Sequence, residues 1–334
     1  MKTHFCIPIF IPHLGCAHHC VFCNQRSVTN VQAAPSVESV AFSIEQFLEK
    51  NPEKRAEVAF FGGSFTGIPP EAQKAYLSAV QPFLKSGAVE YIRISTRPDC
   101  IEKETVDFLT AYGVRIIELG AQSMSDAVLK ASGRGHTSAD TRRAASLIKE
   151  GGASLGLQMM TGLPASTPEL EAMTARSFVE MGADIARIYP VVVFSDSPLC
   201  RMMEEGSYTP PSMADTVERA AACLSILEDG GVQVVRIGLQ ETETLFSTVA
   251  GGAYHPAMGA LVRARLWRNR LERAVLKLGG PEITVFCEEK LTSLVVGQKR
   301  ENFIYLSEKY GIRLRLLRAE EGCTAARGEK TVSV

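Results

Sequence analysis

The chain is 334 residues long, 46% hydrophobic and 22% charged, which excludes a disordered segment and supplies core material for one large domain, or a large one plus a small one. A formal net charge of −1 exerts no overall pull on nucleic acid, so RNA affinity would have to come from a local patch. No apolar stretch approaches a membrane span, Met1-Lys2-Thr3-His4 is no export signal, and nine scattered cysteines argue against a disulfide framework; a cytoplasmic location is expected.

Along the chain, short runs rich in β-branched residues alternate with helical patterns, as repeated βα units around a parallel sheet do. Strands are expected near 5–11, 58–61, 91–96, 115–119, 155–160 and 184–193, with a further one at 233–238. Helices are expected near 36–50, 71–85, 103–112, 139–150, 168–181 and 212–229. Six such units are too few to close an eight-stranded barrel. The expected fold class is therefore α/β, a partial (open) six-unit βα TIM-type barrel with a small C-terminal α/β appendage.

After about residue 250 the pattern changes. A helix at 261–278, a strand at 282–287, a helix at 290–310 and a strand at 312–317 describe the appendage. The expected division is a core at 1–250, the appendage at 251–318, and a tail at 319–334, rich in Glu, Gly, Ala and Thr, that frays.

In partial barrels the chemistry sits at the C-terminal ends of the strands. The motifs fall there: cysteines after the first strand, Gly62-Gly63-Ser64 after the second, and Arg97-Pro98-Asp99 after the third. Gly120-Ala121-Gln122-Ser123 and Gly162-Leu163-Pro164 follow the fourth and fifth. Five motif-bearing loops on one rim are harder to obtain by accident than any one of them.

The first loop carries Cys16, Cys20 and Cys23, spaced C-x3-C-x2-C with Phe22 before the last cysteine. Three thiolates on a four-iron cubane leave one iron without a protein ligand, free to chelate the amino and carboxylate groups of a methionine. Zinc is the alternative, taking two or three thiolates plus His13, His18 or His19, although no second C-x2-C or H-x3-H accompanies them. A lipoprotein cleavage site at Leu14-Gly15-Cys16 is disfavoured by His13 and by two prolines in the preceding apolar run.

The cysteine motif resembles that of the radical SAM superfamily, and the likeness extends over 5–260. Phe61-Gly62-Gly63-Ser64-Phe65, Ser95-Thr96-Arg97-Pro98-Asp99, Glu118 to Ser123, Arg134-Gly135-His136-Thr137, Met159 to Pro164, Arg187 to Val191 and Tyr254-His255-Pro256 carry it. Together they look like the Elongator catalytic subunit family and, more distantly, the oxygen-independent coproporphyrinogen III oxidases. The chain departs from the Elongator pattern in two ways. The stretch after 260 is too short for that family's acetyltransferase domain, and the gap between its first two cysteines is shorter.

The resemblance implies a [4Fe-4S] cluster on Cys16, Cys20 and Cys23 and S-adenosylmethionine as second cofactor, cleaved to a 5′-deoxyadenosyl radical by an electron from a donor such as flavodoxin or ferredoxin. It implies that Gly62, Gly63 and Ser64 hold the methionine amino group, and that Ser95, Gln122 and Gln158 contact the ribose and methionine portions. It gives Arg134 the methionine carboxylate and Phe22 the adenine. Against these stand plainer roles: a Gly-Gly turn, satisfied polar groups at a barrel mouth, an aromatic in the core. His136 either joins the Arg134 network or caps the next helix.

Arg97, Arg187, Tyr189, Arg236, Tyr254 and His255 are candidates to face the substrate. The helix at 261–277 carries Arg263, Arg265, Arg268, Arg270, Arg273 and Lys277 around Trp267 against one acid, Glu272. It reads either as an RNA clamp or as a solvated face with Trp267 anchored in the core. The leading expectation is an enzyme that modifies RNA, with tRNA as partner and no membrane association. Action on a small molecule or tetrapyrrole is the second reading, and a zinc-stabilised RNA-binding protein without turnover the third.

Overall fold

The computed structural model describes residues 5–17, 20–24, 31, 33–51, 55–239 and 245–334. The candidate zinc ligands His18 and His19, and the segment Met1 to His4, lie outside them. The chain divides into two compact units, one of 1–213 with 226–256 and one of 214–225 with 257–334.

Among the described residues the first unit holds seven strands in sequential order. They are β1 (Phe5–Phe10), β2 (Ala56–Phe61), β3 (Val89–Thr96), β4 (Val114–Gln122), β5 (Ser154–Thr161), β6 (Ile185–Pro190) and, after the short β7 (Val192–Phe194), β8 (Gln233–Ile237). Every neighbouring pair is parallel. The helices between these strands in the chain are α1 (Val37–Lys50), α2 (Pro70–Lys85), α3 (Lys103–Ala111), α4 (Asp126–Ala131), α5 (Ser138–Glu150), α6 (Pro168–Glu180), α7 (Pro198–Glu204) and α8 (Met213–Asp229), whose residues 214–225 belong to the second unit.

Side-chain alternation along the strands divides the sheet into two faces. One buries Val58, Phe60, Ile92, Ile94, Ile117, Leu119, Leu155, Leu157 and Ile188, and Phe60 packs on Tyr76 of α2 with ring centroids 5.8 Å apart. The other carries Glu57, Phe61, Arg93, Glu118, Gln158 and Arg187. A flat sheet would hold β2 and β6 about 19 Å apart. The Arg187 guanidinium nevertheless stacks on the Phe61 ring, 5.0 Å from its centroid. The sheet is thus curved into a half-barrel whose concave side is polar, the expected architecture with one more strand than six units.

The run expected as one strand at 184–193 is two. β7 leaves the barrel and pairs antiparallel with β9 (Val249–Gly252).

The second unit is built on α9 (Met258–Leu278), whose Trp267, Leu271, Val275 and Leu278 form a stripe at helical spacing in its core with Ile283, Val285, Phe303, Leu306 and Leu314. Its sheet runs β11-β10-β12-β13, with β10 (Glu282–Glu288), β11 (Arg313–Ala319), β12 (Cys323–Arg327) and β13 (Lys330–Ser333).

Two expectations fail here. The helix expected at 290–310 breaks into α10 (Thr292–Val296) and α11 (Glu301–Tyr310), because Gly297, Lys299 and Arg300 take left-handed conformations at φ 78°, 50° and 64°. The tail at 319–334, expected to fray, supplies β12 and β13. Arg327 pairs with Lys330 across a two-residue turn that Gly328 allows at φ 59°, and Cys323 and Ala325 point into the core.

Candidate functional site

The cysteine loop closes over the end of β1 by backbone contacts. Ile11 N–H donates to Phe61 O at 2.8 Å, and Ser64 N–H donates to Leu14 O at 2.8 Å. This approach leaves no room for a Cβ. One on Gly63 would lie 2.3 Å from Leu14 O and 2.5 Å from Ile11 O, and one on Gly15 would lie 2.2 Å from Ser64 O. Gly63 after β2, together with Gly15, is therefore what allows the cysteine loop to dock, a use that the sequence does not announce.

Farther along, Val21 N–H donates to Ser132 O at 3.1 Å and Leu199 N–H donates to Val21 O at 2.8 Å. Phe22 packs, half-buried, against an apolar cluster that includes Val128, Leu163 and Leu199. Cys20 is buried, whereas Cys16 and Cys23 are partly exposed. Burial, then the neighbouring Cys20, raises the Cys16 thiol above its ordinary pKa. Among the described residues no three His, Cys, Asp or Glu side chains are gathered as a ready metal cage.

The strand ends beside the loop form one connected polar patch. The fully buried Ser64 hydroxyl bonds to Thr96 Oγ1 at 2.9 Å and accepts from Arg97 N–H at 3.3 Å. Gln122 closes β4 in a left-handed conformation at φ 63°, with its amide oxygen buried and unpartnered. Such backbone strain on a residue other than glycine marks functional turns. Arg134 Nη1 donates to Cys20 Sγ at 3.1 Å and Nη2 to Gly120 O at 2.5 Å. A Cβ on Gly120 would crowd both Gln122 Nε2 and Arg134 Nη2, at 3.1 and 3.2 Å. His136 Nε2 donates to Ala121 O at 3.3 Å, and its other ring nitrogen is buried without a partner. Burial, then Arg134 and Arg97, lowers its pKa to about 4, so the ring is neutral.

Deeper on the concave side lies Glu118, fully buried, to which the sequence reading gave no role. Its Oε2 accepts from Gln158 Nε2 at 2.8 Å and Arg187 Nε at 2.7 Å, and its Oε1 from Arg187 Nη2 at 2.9 Å and Arg93 Nη1 at 3.0 Å. Burial opposes its charge, yet Arg187 and Arg93 outweigh that penalty and hold the carboxyl below the usual range. Gln158 Nε2 also reaches Ser95 Oγ at 3.3 Å, so Ser95 and Gln158 sit together at the barrel mouth. An acid inside the apolar run Ile116-Ile117-Glu118-Leu119 is the signal that could have found it.

The six candidate substrate-facing residues do not share one environment. Arg97, 4% exposed, is tied to Asp99 and to Arg134 O. Arg187 is held by Glu118, and Tyr189 is engaged by Arg187. Arg236 Nε donates to Gly238 O at 3.2 Å, Tyr254 packs beside Val192 and Phe194, and His255 is exposed. In the second unit, Trp267 is buried in the core with Arg270 over its ring at 5.3 Å. Arg268 bonds to Asn302 and stacks on Tyr305, and Arg265 pairs with Glu218. Trp267 is not available to stack a base, contrary to the RNA-clamp expectation.

Comparison with known proteins follows the same geography. The radical SAM superfamily matches residues 10–176, and the radical SAM C-terminal domain matches 183–268. The tRNA uridine(34) acetyltransferase of Methanocaldococcus jannaschii is 30% identical over 207 residues, covering 55% of this chain and 38% of that protein. Human Elongator complex protein 3 is 27% identical over 233 residues, covering 64% of this chain and 42% of that protein. The chain thus spans about two fifths of the length of these relatives. The solved structure of archaeal Methanocaldococcus infernus Elp3 with an N-terminal deletion superposes with a TM-score of 0.66 at 22% identity, covering 81% of this chain and 64% of that one. No helix among the described residues is long and apolar enough to cross a membrane.

Proposed function

This chain belongs to the radical SAM superfamily, and on that premise we propose that it holds a [4Fe-4S] cluster on Cys16, Cys20 and Cys23, cleaves S-adenosylmethionine reductively, and modifies RNA, with tRNA as substrate. It is an enzyme of the Elongator-like branch. The observation that carries the reading is the convergence, on one barrel rim, of three thiols with buried polar atoms that lack partners: Gln122 Oε1, Arg134 Nε, Arg97 Nε and one nitrogen of His136. Such atoms are costly to leave unsatisfied, and a polar ligand over the rim would satisfy them.

The donor set fits the cofactors. Three thiols on one loop leave a fourth iron open, and the cluster with its bound sulfonium supplies a 5′-deoxyadenosyl radical that side chains alone cannot make. The protein's part is to place and shield. Gly63 and Gly15 let the cysteine loop seat against the Gly62–Ser64 turn, and Phe22 closes one side with apolar surface. Ser95, Gln122 and Gln158 present polar groups at adjacent strand ends for the nucleoside. Because Glu118 accepts the Gln158 NH2, Gln158 faces the mouth with its carbonyl oxygen, an acceptor.

The case for tRNA rests on the relatives: the M. jannaschii protein is a tRNA uridine(34) acetyltransferase, and the likeness covers 55% of this chain. A donor such as flavodoxin or ferredoxin would supply the electron. The test is anaerobic reconstitution followed by assay of 5′-deoxyadenosine release, with and without bulk tRNA. Cys20→Ala should abolish release and cluster retention together, and tRNA should accelerate release in the unsubstituted protein. Stoichiometric zinc without iron or sulfide would sink the proposal.

A further inference from the structure

The guanidinium of Arg134 is committed on the cysteine side of the rim. Nη1 reaches Cys20 Sγ at 3.1 Å while Nη2 is anchored on Gly120 O, and the side chain is 7% exposed. Its position is reinforced from behind, because Arg97 Nη2 donates to the Arg134 carbonyl at 2.6 Å and is itself braced by Asp99 Oδ2 at 2.9 Å. Glycine at 120 opens the space in which the fork lies. An arginine gripping the carboxylate of a bound amino acid would aim both Nη groups at one ligand. Here they diverge, one to a sulfur and one to a main-chain oxygen.

We propose that Arg134 acts on the cluster rather than on the methionine carboxylate: it donates a charge-assisted hydrogen bond to the Cys20 thiolate and makes the cluster easier to reduce. This rests on the reading that Cys16, Cys20 and Cys23 hold the cluster. Reduction adds one negative charge to the cage. A fixed donor and positive charge at a ligand sulfur stabilise the reduced form more than the oxidised one. Solvent screens the contact little at this exposure. Arg97 contributes a second buried positive charge, but its Nη2 is spent on Arg134 O and Asp99, so the larger effect at Cys20 belongs to Arg134.

The test compares the full-length protein with Arg134→Gln and Arg134→Lys. Each is reconstituted anaerobically and titrated potentiometrically without S-adenosylmethionine, with the reduced cluster followed by electron paramagnetic resonance. Arg134→Gln should keep its iron and sulfide but require a more negative potential, and Arg134→Lys, which keeps the charge but loses the fork, should shift part of the way. The dissociation constant for S-adenosylmethionine, measured on the oxidised proteins, should change less than threefold. An unshifted potential in Arg134→Gln overturns the proposal, and a tenfold loss of affinity beside it would return Arg134 to the methionine carboxylate. If Arg134→Gln loses its cluster, Arg134→Lys decides alone. Absence of iron and sulfide from the unsubstituted protein would instead remove the cofactor reading itself, and this inference with it.

Discussion

Glu118 and Arg187 stand on β4 and β6, two strands apart, and meet through two hydrogen bonds, Nε to Oε2 at 2.7 Å and Nη2 to Oε1 at 2.9 Å. Glu118 is fully buried, and the Arg187 side chain is 14% exposed. A carboxylate so placed is tolerated only because Arg93, Arg187 and Gln158 fill its lone pairs.

Removing it strips the Arg187 guanidinium of its carboxylate and leaves Arg93 with Glu57 alone, at 2.8 Å. Glu118→Ala is expected to destabilise the protein by about 3–5 kcal/mol, the usual result of breaking a buried pair from one side. Glu118→Gln keeps the shape and one acceptor, and should lose less. Urea denaturation followed by circular dichroism checks both; equal losses in the two variants would show that the retained shape and amide oxygen contribute nothing and that the charge carries the whole effect.

Gly63→Ala tests how the cysteine loop is seated. Gly63 needs no positive φ, so any penalty comes from the added methyl, 2.3 Å from Leu14 O and 2.5 Å from Ile11 O. The loop has to lift, at a cost of about 1–3 kcal/mol typical of overpacking. Reduced iron and sulfide after reconstitution, beside a lowered thermal midpoint, is the expected result. Gly152→Ala, which meets nothing within 4 Å, should lose stability through its φ of +75° alone and keep full cluster loading.

These residues also show where the sequence was legible. Strand and helix order could be read because β-branched runs and amphipathic stretches alternate, and five of the motifs fell at strand ends. Glu118 lay inside a motif yet went unread, because its partners Arg93 and Arg187 are far away in the chain and only barrel curvature brings them together. β12 and β13 were missed because Cys323 and Ala325 are small, and the sheet uses them for close packing rather than bulk. The break at Gly297 hid behind helix formers on either side, and Trp267 looked available because its neighbours are charged.

The basic helix α9 gives a prediction about stability more than about RNA. Arg268 Nε donates to Asn302 Oδ1 at 3.0 Å and its guanidinium lies 4.8 Å from the Tyr305 centroid. Arg268→Ala should therefore cost about 1–2 kcal/mol in unfolding, from a lost hydrogen bond and a lost cation–π contact. Filter binding with tRNA should show less than a twofold change. A fall of tenfold or more, with the salt slope reduced by about one, would place a phosphate at this residue instead.

His136 makes the stability of the barrel depend on pH. Its pKa falls from 6.5 to about 4, first through burial and then through Arg134 and Arg97, with Asp99 opposing. Between these values the unfolded chain takes up a proton that the folded chain refuses, so stability rises with pH across the window and is lost on acidification. The loss approaches about 1.4 kcal/mol for each pH unit below 6.5, or roughly 2 kcal/mol at pH 5. His136→Gln can still donate to Ala121 O but takes up no proton. Urea midpoints at pH 7.5 and 5.0 should thus fall further in the unsubstituted protein than in the variant, by that amount. Carboxylates such as Glu118, which lose their contribution at lower pH, cancel in the comparison. Parallel pH profiles would mean that the folded chain takes up the proton as readily as the unfolded one, so that burial does not keep the His136 ring neutral.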